Sequence, residues 1–166
     1  MEITNNRLVD YTFDDTEPVV EPVTLNEVKE YLRIDPGVSY EDNLLTDLIT
    51  AAREETEKYT GCSLIARNVT AILELVNRHE LPYGPVKSVV NEDQYKLIGK
   101  DFPRVEGCGR IEITYSAGFD PVPKGLKEAV LAKIASMYEN RGDEDRKHDA
   151  EQYYERAFKY RRIVCL

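Results

Sequence analysis

Apolar residues recur every three or four positions over some stretches of this chain and every second position over others. The switch between the two periods marks its predicted elements. Leu25, Val28, Tyr31 and Leu32 form one helical stripe. Thr24 opens it, with Glu27 three residues on in the pattern of a capping box, and Pro36-Gly37 closes it. This predicts a helix over about residues 24–34. A second helix, over about 40–60, has Ser39 as its cap and Gly61 as its stop. Leu44, Leu45, Leu48, Ile49, Ala52, Thr56 and Tyr59 line its inner side, and Asp47, Arg53, Glu54, Glu57 and Lys58 are placed mostly outside. A third, over about 124–140, follows Pro121-Val122-Pro123, carries Leu126, Ala129, Val130, Ile134 and Met137 on one face, and stops at Asn140-Arg141-Gly142. A last helix is expected from about 147 to 162, with Tyr153, Ala157 and Tyr160 on one side and Tyr154 and Phe158 on another.

Between Arg67 and Tyr115 the period is two. Val69, Ala71, Leu73 and Leu75 alternate with their neighbours, Arg110–Tyr115 does the same, and Val86–Val90 and Tyr95–Ile98 are shorter runs bounded by turn residues. These are four antiparallel strand candidates lying between helices. The fold class that follows is mainly α (α+β): a helical bundle of about four helices with an inserted small antiparallel β-region over about 67–115. Residues 1–22 show no helical period and carry Asp10, Asp14, Asp15, Glu17, Glu21, Pro18 and Pro22. They read as an extended acidic arm. It is either a loose terminus or a segment ordered against a partner; Val9, Tyr11, Phe13, Val19 and Val20 make it more apolar than a solvated tail needs, which favours the second. The predicted organisation is thus an arm over 1–22, a central domain over 23–142 and a C-terminal helix and tail over 143–166.

Composition narrows the class. With 166 residues, 32% charged and 42% hydrophobic, the chain suits one soluble domain. No apolar run reaches the roughly 18 residues of a membrane span, and the first residues lack the basic and apolar regions of a secretion signal, so neither membrane nor export is expected. Cys62, Cys108 and Cys165 are few, odd in number and far apart, which fits a reducing compartment better than a disulfide framework. The net charge is −9, and it is uneven: residues 1–60 carry 15 acids and 5 bases, the remainder 16 and 17. Tight, phosphate-gripping DNA binding needs a basic face that this balance does not offer.

Candidate chemistry is sparse. His79 and His148 have no Cys, His or acid at zinc-ligand spacing, and Cys62 and Cys108 have no nominated base. Gly107-Cys108-Gly109 lacks the third glycine and the following helix of a dinucleotide fingerprint. No catalytic, cofactor-binding or metal-binding residue is assigned, and no cofactor is expected. The many acids of the first third leave open a small metal-dependent nuclease or DNA-processing factor, with Glu54 and Glu57 as its testable carboxylates. The end of the chain gathers tyrosines with Arg156, Lys159, Arg161 and Arg162, either as solvated charge at a helix end or as anchors for another protein.

Three stretches together carry a resemblance. They are TLNEVKEYLRID followed by EDNLLTDLITAAREETEKYTGCSL, then the LPYGPVKSV turn opening the β-rich middle, then ITYSAGFDPVPKGLKEAVLAKIASMYENRG. In order and spacing this resembles the head–tail connector (adaptor) proteins of long-tailed bacteriophages, from about Val23 to Gly142. Its most specific pieces are Tyr59-Thr60-Gly61, the Tyr115-to-Gly118 turn and Tyr138–Arg141. The resemblance implies a non-enzymatic virion part, made in the host cytoplasm and placed in the neck. It implies a homo-oligomeric ring, usually dodecameric, bound to the portal protein on one side and to the tail or a head-closure protein on the other. DNA would pass through its channel without specific binding. Similar proteins tend to reach the portal with their C-terminal segment. The candidate portal interface nominated here by side-chain chemistry is Tyr153, Tyr154, Phe158, Arg161 and Arg162. A protein-interaction domain that forms no ring is the remaining alternative.

Overall fold

The computed structural model describes residues 5–15, 20–90, 92–140 and 150–162. They fall into two compact units, one gathering the strands and one the helices.

The helical unit holds α1 (Leu25–Leu32), α2 (Asp42–Thr60), α3 (Lys124–Glu139) and α4 (Ala150–Phe158). The Thr24 hydroxyl accepts the Glu27 N–H at 3.2 Å, and the Glu27 carboxylate accepts the Thr24 N–H at 2.6 Å, so both halves of the capping box are present. That backbone hydrogen bond, more than the weaker pull of Lys127, holds the Glu27 carboxyl below the usual carboxylate range. Val28, Leu45, Ile49, Ala52, Leu126, Ala129, Val130 and Ile134 are buried, and they are the residues at helical spacing. Gly61, just past α2, takes a φ of 68°, the left-handed turn that favours glycine after a helix.

The strand unit contains two antiparallel sheets. The larger has the order β1-β2-β7-β4, formed by β1 (Arg7–Asp15), β2 (Arg67–Leu75), β7 (Gly109–Ala117) and β4 (Val86–Val89). The smaller has the order β3-β6-β5, formed by β3 (Arg78–Glu80), β6 (Arg104–Glu106) and β5 (Lys96–Ile98). Val69, Ala71, Leu73 and Leu75 of β2 and Ile113, Tyr115 and Ala117 of β7 share one face and form the core with Leu81 and Val105. The opposite face is polar, with the Thr70 and Thr114 hydroxyls 2.9 Å apart and those of Ser88 and Ser116 2.8 Å apart.

This corrects the expected fold class. The chain is not a helical bundle with a small inserted β-region; among the described residues strand is nearly as abundant as helix, with seven strands in two sheets. The reasons are physical. A register shift between Leu8 and Asp10 breaks the alternation of β1, and its acids mask the rest, so a sheet strand looked like a loose arm. Residues 7–15 of that arm are a strand paired with β2 of the same chain. Strands β3 and β6 are three residues each, too short to show a period.

The Tyr115-to-Gly118 turn is where the larger sheet is locked. The buried Tyr115 hydroxyl donates to the Pro82 carbonyl, and burial pushes its pKa far up, so it stays a donor. Gly118 donates its N–H to the Pro85 carbonyl at 3.0 Å. Tyr115→Phe leaves the Pro82 carbonyl without this donor and is expected to lower stability by about 1–2 kcal/mol, read as a shift in urea midpoint with an unchanged slope.

Candidate assembly surfaces

The C-terminal segment is built onto α2 and α3. In α4, Tyr153 and Ala157 lie one turn apart and are buried with Ala129 of α3, and Tyr59 of α2 packs against them. The Tyr153 hydroxyl lies 2.9 Å from the Thr56 hydroxyl, its ring centroid is 6.3 Å from that of Tyr59, and Lys133 sits over its ring at 5.3 Å. Arg156 reaches the Tyr31 hydroxyl at 3.3 Å.

This packing separates the five nominated residues. Tyr153 is 1% exposed and belongs to the core of the helical unit. Tyr154 is in α4, with its side chain outside the described residues. Phe158 is 63% exposed. Arg161 is exposed, with its guanidinium 5.1 Å from the centroid of the Tyr59 ring. Arg162 is held inside the strand unit, donating from Nε to Glu80 at 3.0 Å and stacking over Phe102 at 3.7 Å. Of the five nominated residues, those whose described side chains face outward are Phe158 and Arg161. Sequence spacing alone does not separate Phe158 from Tyr153, because both faces of α4 are aromatic.

The acids of the first third are largely engaged. Arg53 and Glu57 are buried, 4% and 3% exposed, and joined at 3.0 Å; Glu21 meets Arg53 at 2.9 Å. Burial opposes the charge of Arg53, but Glu57 and Glu21 outweigh it and raise its pKa. The sequence placed Arg53 and Glu57 on the outer face; the structure puts them inside, neutralising each other. Lys29 pairs with Asp42 at 2.6 Å and Lys133 with Glu55 at 2.6 Å. Glu57 is thus committed to Arg53 and offers no open carboxylate for a nuclease centre. Among the described residues no group of three or more His, Cys, Asp or Glu is placed to hold a metal ion. His79 is buried with Nδ1 2.7 Å from the Glu80 carbonyl, Cys62 is buried and Cys108 exposed; His148 and Cys165 lie outside the described residues. One open hollow of 160 Å³ lies beside Tyr31, Ser136 and Arg156, and another of 260 Å³ beside Asn68, Lys87 and Asp120. Both are smaller than the roughly 300–1,000 Å³ of ligand pockets. No helix of the described residues is long and apolar enough to cross a membrane.

The exposed apolar side chains are of a different kind. Val9, Tyr11 and Phe13 line β1 at 37–39% exposure, and Tyr40 and Val90 stand out at 84% and 55%. Tyr11 and Phe13 are covered in part by Tyr83, with ring centroids 5.1 and 4.9 Å away, and Arg67 lies 4.4 Å from the Phe13 centroid. Contiguous apolar surface such as that of Tyr11 and Phe13 suits contact with another chain.

Comparison with known proteins agrees. A search of curated proteins gives no match. Among solved structures, a chain of the neck of an empty gene transfer agent particle, computed with C6 symmetry, is similar with a TM-score of 0.73 and 23% identity. That match covers 93% of this chain and 97% of the other. A chain of the virion of a native gene transfer agent particle is similar with a TM-score of 0.70 and 24% identity, over the same shares. These likenesses establish the fold. The model of the phage gp6-like head–tail connector proteins matches residues 22–164, most of the chain. The chain therefore belongs to the phage gp6-like head–tail connector family.

Proposed function

We propose that this protein is one subunit of a homo-oligomeric ring, of twelve copies, that joins the portal protein to the tail or a head-closure protein and extends the channel through which DNA passes. The family match over residues 22–164 carries the reading. Rings of six and of twelve copies both contain a sixfold axis, and the neck of one structural neighbour is described with C6 symmetry. A net charge of −9 also suits the role, since phosphates moving past an acidic protein are not held.

The nominated portal contact is Tyr153, Tyr154, Phe158, Arg161 and Arg162, and within it the outward pair Phe158 and Arg161 supplies an apolar anchor beside a cation. The double variant Phe158→Glu, Arg161→Glu keeps Tyr153 and Ala157 in place, so the fold is expected to survive. Binding to portal-bearing capsids is expected to fall at least 10-fold, since interface anchors are worth about 2 kcal/mol or more each. Wild-type occupancy of the capsids by the double variant, counted by electron microscopy, would overturn the portal assignment.

A further inference from the structure

Among the described residues no strand lies beyond β1 or β4 of the larger sheet, and these two edges match each other. Strand β1 pairs only with β2 among the described residues, and one of its backbone donors, the Tyr11 N–H, meets the Asp10 carboxylate at 2.8 Å. At the other edge, Val86 of β4 donates to the Asp101 carbonyl at 2.7 Å, and beyond it no described strand pairs with the outer side of β4. The register links the two edges: Asp14 pairs with Asn68, Asn68 with Ser116 and Ser116 with Ser88, so Asp14 and Ser88 end one row that crosses the sheet. Lys87 is the extra residue at the register shift next to that row, and it is exposed. Asp14 is exposed as well, and neither Asp14 nor Lys87 is in an ion pair among the described residues. In the adjacent row Phe13, half covered, ends one edge and Val89 the other.

We infer that subunits of the ring join by sheet extension. The outer edge of β1 of one copy pairs antiparallel with the outer edge of β4 of the next, with Asp14 meeting Lys87 and with Phe13, flanked by Tyr11, closing against Val89. This deepens the ring reading and rests on it. The geometry favours a second copy as the occupant. β1 and β7 run parallel, as do β2 and β4, so β1 of one copy meets β4 of the next in the antiparallel sense already used throughout the sheet. The contact is head to tail, with two different surfaces on each copy, as a ring requires and a twofold dimer does not. Asp14 at one end of the row and Lys87 beside the other end set the register with opposite charges, and a slip by one residue would bring Phe13 onto the neighbour's polar face.

Zero-length carbodiimide coupling of wild-type necks tests the contact directly. Three inter-strand steps of about 4.8 Å separate Asp14 from Lys87 within one sheet, too far for a bond within one chain. An Asp14–Lys87 peptide found by mass spectrometry therefore joins two copies. Coupling of Asp14 to a portal or tail peptide instead would overturn the inference. Charge swapping gives a second arm. Asp14→Lys and Lys87→Asp, each alone, are expected to raise the concentration needed for ring formation on portal-bearing capsids at least 10-fold, and the two together to restore it. Circular dichroism and melting of each variant confirm folding. Rings that form at wild-type concentration in both single variants would refute sheet extension while leaving the ring intact. Wild-type protein that decorates the portal without forming a ring would refute both readings.

Discussion

Arg53→Leu is expected to destabilise the helical unit by about 3–5 kcal/mol, because it removes one partner of a buried ion pair and leaves the other charged. Glu57, 4% exposed at its side chain, then has no guanidinium at 3.0 Å, and Glu21, bound also by the Thr50 hydroxyl at 3.1 Å, loses its ion pair. The double variant Arg53→Leu, Glu57→Leu removes both buried charges and is expected to regain most of that loss, since a buried pair replaced by apolar groups of similar volume is often neutral. Urea unfolding of the three proteins checks this. An Arg53→Leu protein with the wild-type midpoint would show that the network adds nothing to the fold. A double variant no better than the single would show that Arg53 contributes through its packing instead.

Gly118→Ala should unfold the strand unit at a markedly lower temperature. Gly118 has a φ of 131°, a region L residues rarely adopt, and a Cβ there would lie 2.3 Å from the Ile65 carbonyl oxygen and 3.0 Å from the Ala66 Cα. Backbone strain of this kind costs about 1–3 kcal/mol, and overpacking a further 1–3 kcal/mol or so. At roughly 2–4 °C per kcal/mol for a chain of this size, a fall of about 10 °C is expected. Gly109→Ala is the control, because its φ is 96° but nothing lies within 4 Å of the added carbon. Equal losses in the two variants would show that backbone conformation alone, and not the approach of Ile65, makes Gly118 necessary.

Much of the assembly was legible in the sequence because it is local. The Thr24–Glu27 box, the Leu126–Val130–Ile134 face and the alternation of β2 and β7 are read within a turn or a pleat, and the structure contains each. Of the motifs behind the family resemblance, one has an equally local explanation and two depend on residues far along the chain. Gly61 turns left-handed after α2, the Tyr138 hydroxyl donates to Glu41 at 2.6 Å, and Gly118 sits where no side chain fits. The outward-facing surface was less legible. A helix that alternates Tyr153, Tyr154, Ala157 and Phe158 has two aromatic sides, and local pattern does not say which one the core takes.

The sequence by itself carried the apolar stripes of α1, α2 and α3, the alternation of β2 and β7, and the family. Each depends on neighbours a few positions away, or on residue types in fixed order. Tertiary structure alone decided that residues 7–15 are a sheet edge and not an arm, that Arg53 and Glu57 are internal, and that Tyr153 is core while Phe158 is surface. Those outcomes depend on partners far along the chain: Asp14 on Asn68, Arg53 on Glu21, and Tyr153 on Thr56. A charge or an aromatic ring is buried only where a distant partner offsets the loss of water, and no periodicity in the sequence records that partner.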